Sequence, residues 1–430
     1  MNQQIETFST KIIKPSSETP RHLRNLKLSY LDQIVITAYT PIIFFYEALE
    51  SKILIETNHS CISRHLQQSL ANTLASFYPL AGRIKTNSLV ECNDAGVDFI
   101  EARAHARLTD FVHGHDVEVL KKLLPRDPSD FNGTLVLVKL TLFECGGVSL
   151  GFCISHKLAD FASIMGFIDA WAAKSRGGPK FTPFTFDLGA YFPARELPEP
   201  SSWTFSNEND VANVFVLDKE MLALLKSSAT SQYVKNPMRI EMVSAFFWKV
   251  FIEVTLEKNP NSKGFFFAFQ SINLRPRMNP PPHLENVFGN CYMAIMGLYS
   301  PEHDLALDRY HELVRILRDA IKKIDGDFIR EAQFGDRYFN QCSEFLALHE
   351  KGELREGCAF TSWRNFPLYG VDFGWGNPIW VATAMPMKNS IVLMDTRCGE
   401  GIEVWVNMDR NVVKELDKKI DLIRTQMFVG

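Results

Sequence analysis

The sequence predicts a layered α/β protein with more than one domain, and three observations lead there. The chain has 430 residues, long for a single core, so two or three domains of ordinary size are expected. Apolar runs of strand length alternate with segments of helical periodicity, without the tight βαβ repeat of a dinucleotide fold. A stretch rich in Pro, Gly, Ser and Asn, placed at residues 176–210, separates residues 1–175 from 211–430 and reads as a long crossover between domains.

Taken in order, Ile5–Ile13 reads as a short strand before the Lys14-Pro-Ser-Ser turn, and residues 34–46 as a β-rich segment. Asn58 or Ser60 is a candidate N-cap for a helix carrying Ile62, Leu66, Leu70 and Leu74 on one face, which Pro79 and Gly82 terminate. Residues 89–103 read as strands about an Asn93-Asp-Ala-Gly96 turn. Residues 135–143 and 148–154 flank Glu144-Cys-Gly-Gly147, a hairpin pattern. Residues 214–217 suggest a strand, followed by helices over 219–227 and 239–254 and a phenylalanine-rich strand over 264–272. Tyr310, Leu313, Leu317 and Ile321 mark another helix. Strands are expected over 379–384, 391–395 and 402–406, and an amphipathic helix over 411–427.

Composition narrows the function. Hydrophobic residues at 46%, charged residues at 22% and a net charge of -4 describe a globular protein with no footprint for nucleic acid or an anionic membrane. None of the eight cysteines forms Cys-x-x-Cys, which argues against a zinc site or a redox pair and fits free thiols in a reducing compartment. No apolar leader or membrane-length run is present, so the cytoplasm is the expected location. His113-Gly-His115 lacks a third ligand and reads as a solvated loop, so no metal is expected. Phosphate-loop, dinucleotide and Gly-x-Ser-x-Gly patterns are missing.

One stretch carries chemistry. Val148–Ile154 is an apolar run, and Ile164, Phe167, Ile168 and Trp171 then recur at helical spacing. His156 falls at the junction, where a neutral imidazole held on rigid elements can act as a general base near pH 7. Of eleven histidines it alone has Asp four residues on. A purely structural histidine would show the same local pattern.

The motifs His156-Lys-Leu-Ala-Asp160 and Asp372-Phe-Gly-Trp-Gly376 occur in one chain. With them stand Tyr78-Pro-Leu-Ala-Gly-Arg83, Asn273-Leu-Arg275 and Thr361-Ser-Trp363. This set resembles the BAHD superfamily of plant acyl-CoA-dependent acyltransferases over essentially the whole chain. Lys14-Pro-Ser-Ser17, Leu31-Asp-Gln33, Phe143-Glu-Cys-Gly-Gly147, Arg277-Met-Asn-Pro-Pro281 and Met394-Asp-Thr-Arg397 are similar to its vinorine synthase-like, indole-alkaloid branch. Phe161 stands where many relatives have Gly.

The resemblance implies two domains related to the chloramphenicol acetyltransferase fold, one carrying His156 and the other the Asp372 motif, with a channel between them. It implies a monomer that takes acyl-CoA as co-substrate and a small alkaloid as acceptor, with no permanently bound cofactor. His156 would be the base. Asp160 would turn from the imidazole toward an Arg, and Asp372 would pair with Arg275, so that Asp160, Arg275, Asp372, Gly374, Trp375 and Gly376 serve the fold. Thr361 and Trp363 are candidate donors to the reacting carbonyl. Ser271 and Asn273 are candidate CoA contacts.

Arg424 lies at the edge of the apolar face of the last helix. Asp417 or Asp421 can pair with it; alternatively it clamps the carboxylate of malonyl-CoA. Either acetyl or malonyl is thus the expected acyl group. Within the resemblance, acylation of the indoline nitrogen of Wieland–Gumlich aldehyde is one reaction that fits. A thioester hydrolase and a non-catalytic CoA-ester or alkaloid binder stay open beside the transferase.

Overall fold

The computed structural model describes residues 4–48, 55–112, 116–178, 183–197, 205–260, 263–278, 284–301 and 310–429. His113-Gly-His115 and residues 279–283 lie outside these. The chain divides into two compact units. The first comprises Met1–Trp203, His283–Cys291 and Asn365–Pro386; the second comprises Thr204–Pro282, Tyr292–Arg364 and Met387–Gly430.

The first unit holds β1 (Ile5–Ile13), β2 (Asn25–Lys27), β3 (Tyr39–Tyr46), β4 (Arg83–Thr86), β5 (Leu89–Glu91), β6 (Val97–Ala104), β7 (Val136–Phe143) and β8 (Val148–Ser155). The second holds β9 (Asp210–Leu217), β10 (Phe265–Asn273), β11 (Tyr292–Tyr299) and β12 (Leu354–Ser362). The chain then supplies β13 (Trp380–Ala382) to the first unit and β14 (Ser390–Asp395) and β15 (Ile402–Asp409) to the second.

Each unit is built on one six-stranded mixed sheet, β1-β6-β7-β8-β3-β13 and β11-β10-β12-β14-β15-β9. β2, β5 and β4 form a small third sheet. The two large sheets have a strand pattern in common. β6 is parallel to β7, and β7, β8 and β3 follow antiparallel. β12 is parallel to β14, and β14, β15 and β9 follow antiparallel. Strand order along the chain is the same in both sets.

The units differ where the last of these strands meets its helix. After β8, residues 156–160 intervene before helix Phe161–Ser175; after β15, helix Arg410–Val429 begins at once. In the first unit Ile164, Phe167, Ile168 and Trp171 of that helix are fully buried, with the Trp171 ring edge-on to Phe152 of β8 at 5.8 Å. Burial of such side chains contributes about 1.5–3 kcal/mol each. In the second unit, Val243, Phe247 and Phe251 of helix Arg239–Lys258 join Phe266 and Phe360 in the core.

Three expectations need correction. The helix that Asn58 or Ser60 was to cap spans Ile55–Leu74, so both lie inside it. The stretch 176–210 does contain the passage from the first unit to the second, at Trp203–Thr204, but residues 183–197 are tied to the first unit: Thr185 N–H donates to Asn286 O at 2.9 Å and Arg195 N–H to Gln33 Oε1 at 2.8 Å. Phe192 is fully buried, its ring against Tyr30. Pro183 and Pro193 lie in the described residues 183–197, which belong to the first unit. The Asp372–Gly376 motif also belongs to the first unit, not to a C-terminal domain. The reason is pairing: Trp380–Ala382 adds to the sheet edge beside Ile43–Phe45, and Tyr46 Oη donates to Val371 O at 2.9 Å.

Candidate active site

β8 is buried at all eight positions, because β7 and β3 flank it and both its faces are covered. Gly151 is required by that covering: a Cβ there would lie 2.3 Å from the Leu123 carbonyl oxygen. The strand ends at Ser155 and delivers His156, which is partly buried. Main-chain bonds tie the junction, with His156 N–H donating to Ala38 O at 2.9 Å.

The imidazole is oriented by main chain. Nδ1 stands 3.2 Å from Ala159 O, an acceptor, so Nδ1 carries the proton and Nε2 keeps its lone pair. Burial pulls the imidazole below its usual value of 6.5, while Asp160, the Ala159 carbonyl and the Asn290 amide oppose that shift. The ring is therefore neutral at pH 7, the state a general base requires. Asp160 is the N-cap of helix Phe161–Ser175, its Oδ1 accepting from Ser163 N–H at 2.9 Å.

Two residues of this site were not singled out from the sequence. Asn290, wholly buried, donates through Nδ2 to His156 O and to Asp32 Oδ1, both at 2.9 Å. Its backbone N–H also donates to Asp32 Oδ1, at 2.8 Å. Asp32 Oδ2 accepts from Ser29 N–H at 2.9 Å and Ser29 Oγ at 2.6 Å, closing a capping box on helix Tyr30–Gln33. Burial raises the Asp32 carboxyl above its ordinary value, against these bonds. The Ser29-x-x-Asp32 spacing was the available signal for the box; nothing local marks Asn290. Lys157 Nζ adds bonds to Gln33 O at 2.7 Å and Val35 O at 3.0 Å.

The Asp372 motif forms a tight turn. Asp372 Oδ1 accepts from Gly374 N–H at 2.8 Å and Gly376 N–H at 2.9 Å. Gly374 and Gly376 have φ of 111° and 102°, a region other residues rarely adopt. Phe373 and Trp375 then stack on each other and meet Tyr46 edge-on. Arg275 belongs to the other unit, where it donates to Asn273 Oδ1.

The remaining candidates lie in the second unit. Ser271 and Asn273 are on β10, and Thr361 is on β12, one residue past the Gln270–Phe360 pairing. Trp363 is buried, its backbone N–H donating to Leu393 O at 2.8 Å. Arg424 does not turn inward. Its side chain is 45% exposed, bonded to Asp421 Oδ1 and Val216 O, each at 3.3 Å. Asp421 lies one turn away on the same helix, the spacing at which such pairs meet. Among the described residues no cluster of three His, Cys, Asp or Glu could hold a metal, and no helix is long and apolar enough to cross a membrane.

Comparison with known proteins places this geometry in context. Residues 3–422 match the Transferase family. The chain is 40% identical to stemmadenine O-acetyltransferase of Catharanthus roseus, with 95% of each chain covered. It is 38% identical to vinorine synthase of Rauvolfia serpentina, again over 95% of each. The crystal structure of vinorine synthase superposes with a TM-score of 0.81 at 36% identity, covering 96% of both chains.

Proposed function

From the premise that the chain belongs to the BAHD family of acyl-CoA-dependent acyltransferases, we propose that it transfers an acyl group from CoA to a hydroxyl or amine of a plant indole alkaloid, with His156 as the base. The observation that carries this is the neutral imidazole at the end of β8, Nδ1 held by a carbonyl and Nε2 left basic. Nε2 takes the proton of the acceptor as its oxygen or nitrogen attacks the thioester carbonyl. The tetrahedral oxyanion collapses and expels the CoA thiolate, which takes the proton back from the imidazolium. In this reading Thr361 and Trp363 donate to the oxyanion, and Ser271 and Asn273 serve CoA. Base catalysis supplies about 10²–10⁴-fold, and holding both substrates in line much of the rest.

The acceptor class follows two relatives, one named for O-acetylation of stemmadenine and the other for the synthesis of vinorine. Between the two donors, the exposed, paired Arg424 favours acetyl over malonyl. The eight cysteines, all free thiols, agree with a cytoplasmic setting, and the enzyme is taken to act as a monomer.

The test is mass spectrometry of products from an indole-alkaloid panel with equal acetyl-CoA and malonyl-CoA. Acetylated product, with a donor ratio unchanged in Arg424→Leu, is expected. Malonylated product that becomes acetylated in that variant would restore the clamp. Loss of CoA ester without acylated product would make the protein a hydrolase, and no turnover with any acceptor would make it a binder.

A further inference from the structure

β11 is an edge strand of the second unit: its sheet runs β11-β10-β12-β14-β15-β9, and β10 is the one strand it pairs with among the described residues. That pairing is antiparallel and runs from Tyr292 to Tyr299 without a bulge. Along such a strand, residues alternate between bonding across to the partner and turning N–H and C=O away from it. Ala294 is of the second kind. Its N–H donates to Tyr338 Oη at 3.1 Å and its carbonyl accepts from Gln341 Nε2 at 3.3 Å, both from helix Arg337–Glu350. Met296 and Leu298 follow at the same period, so their N–H and C=O groups also face away from β10. No hydrogen bond meets these outward groups among the described residues.

Met296 and Leu298 line a cleft of about 830 Å³. Its wall carries three cations, Lys323, Arg330 and Arg337, and three carboxylates, Glu331, Asp336 and Glu344. Equal numbers of each sign leave no net field for a phosphate, a nucleotide or a lipid headgroup. Arg330 pairs with Asp327 and Arg337 with Glu331, whereas Lys323 and Glu344 have no ion pair among the described residues. Two unmet donor–acceptor pairs, two residues and so about 6.8 Å apart, repeat as an extended backbone repeats. An open edge of this kind is a template for another strand.

We propose that the cleft takes an extended peptide segment of a partner protein. The segment adds as a strand to β11 through Met296 and Leu298, and sets one basic and one acidic side chain against Glu344 and Lys323. Main-chain bonds then supply affinity, and the two wall charges select the sequence. The site uses no residue of the proposed reaction; it docks the enzyme on a partner.

The test titrates two synthetic hexapeptides with a Val-Thr core into the full chain by fluorescence polarisation. One begins with Lys and ends with Glu, and the other has the reverse order. Each has a control N-methylated through the core, which cannot donate to a strand edge. One of the two should bind at or below about 1 mM, and its methylated form about tenfold more weakly or worse. Amide exchange at Met296 and Leu298 should slow by about tenfold on binding, with Ile295 and Gly297 unchanged. Leu298→Pro deletes an outward N–H at a place where an edge strand accepts proline, and should weaken binding by about tenfold. Lys323→Glu combined with Glu344→Lys should exchange the preference between the two peptides, and stands in if Leu298→Pro does not fold. No binding of either peptide at about 1 mM, equal binding of the methylated form, or unchanged exchange at Met296 and Leu298 overturns the proposal. Protection of those amides that grows with protein concentration in the absence of peptide would put a second copy on the edge, and overturns it as well.

Discussion

His156 combines three local conditions: a position one residue past a strand buried at every position, a main-chain acceptor at Nδ1, and burial that disfavours its charge. Replacing it with Ala should cost about 10²–10⁴-fold in kcat. Because burial depresses the imidazole, the acid limb of the wild-type kcat/KM profile should lie below pH 6.5. The same depression has a stability sign: the unfolded chain binds the proton first, so this contribution is intact above 6.5 and fades as pH falls through the folded value. Asp169 behaves oppositely. Burial lifts its carboxyl from 3.8 to about 6, against the pull of Arg176. Its stabilising contribution is complete below 3.8 and lost as pH rises through about 6. Asp169→Asn should therefore raise the thermal midpoint at pH 7.5 and have little effect at pH 4.5, read by circular dichroism melts; equal effects at both would sink this account.

β8 is the element on which the site depends, and its weak point is packing. Ala at Gly151 would push against the Leu123 carbonyl, which is backbone and cannot swing aside. A cost of about 1–3 kcal/mol is expected, visible as a lower urea midpoint; an unchanged midpoint would show that the covering segment yields. The hairpin β7–β8 was legible because strong β-formers flank a Cys-Gly-Gly turn, and Gly146 takes φ 84° there. β11 and β12 were not legible. Tyr292–Tyr299 mixes Met, Ala and Gly, and Leu354–Ser362 opens with charged residues, so neither shows strand propensity outside its sheet. Helix Arg337–Glu350 buries only Tyr338 and so shows no apolar face, and helix Gly326–Phe334 has nine residues, little more than two turns, too short for a periodicity to stand out.

Two sheets with one strand plan carry one candidate base, His156. The plan β6-β7-β8-β3 recurs as β12-β14-β15-β9, yet a connecting loop precedes the helix only after β8. At the second junction Asp409 ends the strand and Arg410 begins the helix, leaving no loop to hold an imidazole. The molecule should then bind one CoA per chain in calorimetry, and His156→Ala should lower turnover by that same factor of about 10²–10⁴ with no separate kinetic phase. A stoichiometry of two, or residual transfer with separate kinetics, would point to a second centre.

By itself the sequence determined the strands and helices whose periodicity is strong, the place of His156 between β8 and its helix, and the family its motifs resemble. Those properties rest on neighbouring residues: alternation, helical spacing, turn formers and caps act within a few positions. Tertiary structure alone decided that the Asp372 turn serves the first unit, that Arg424 faces outward to Asp421, and that Asn290 joins Asp32 to His156 across 258 and 134 residues. A buried polar group takes whichever partner the chain crossings bring within about 3 Å, and hydrophobic spacing does not encode those crossings.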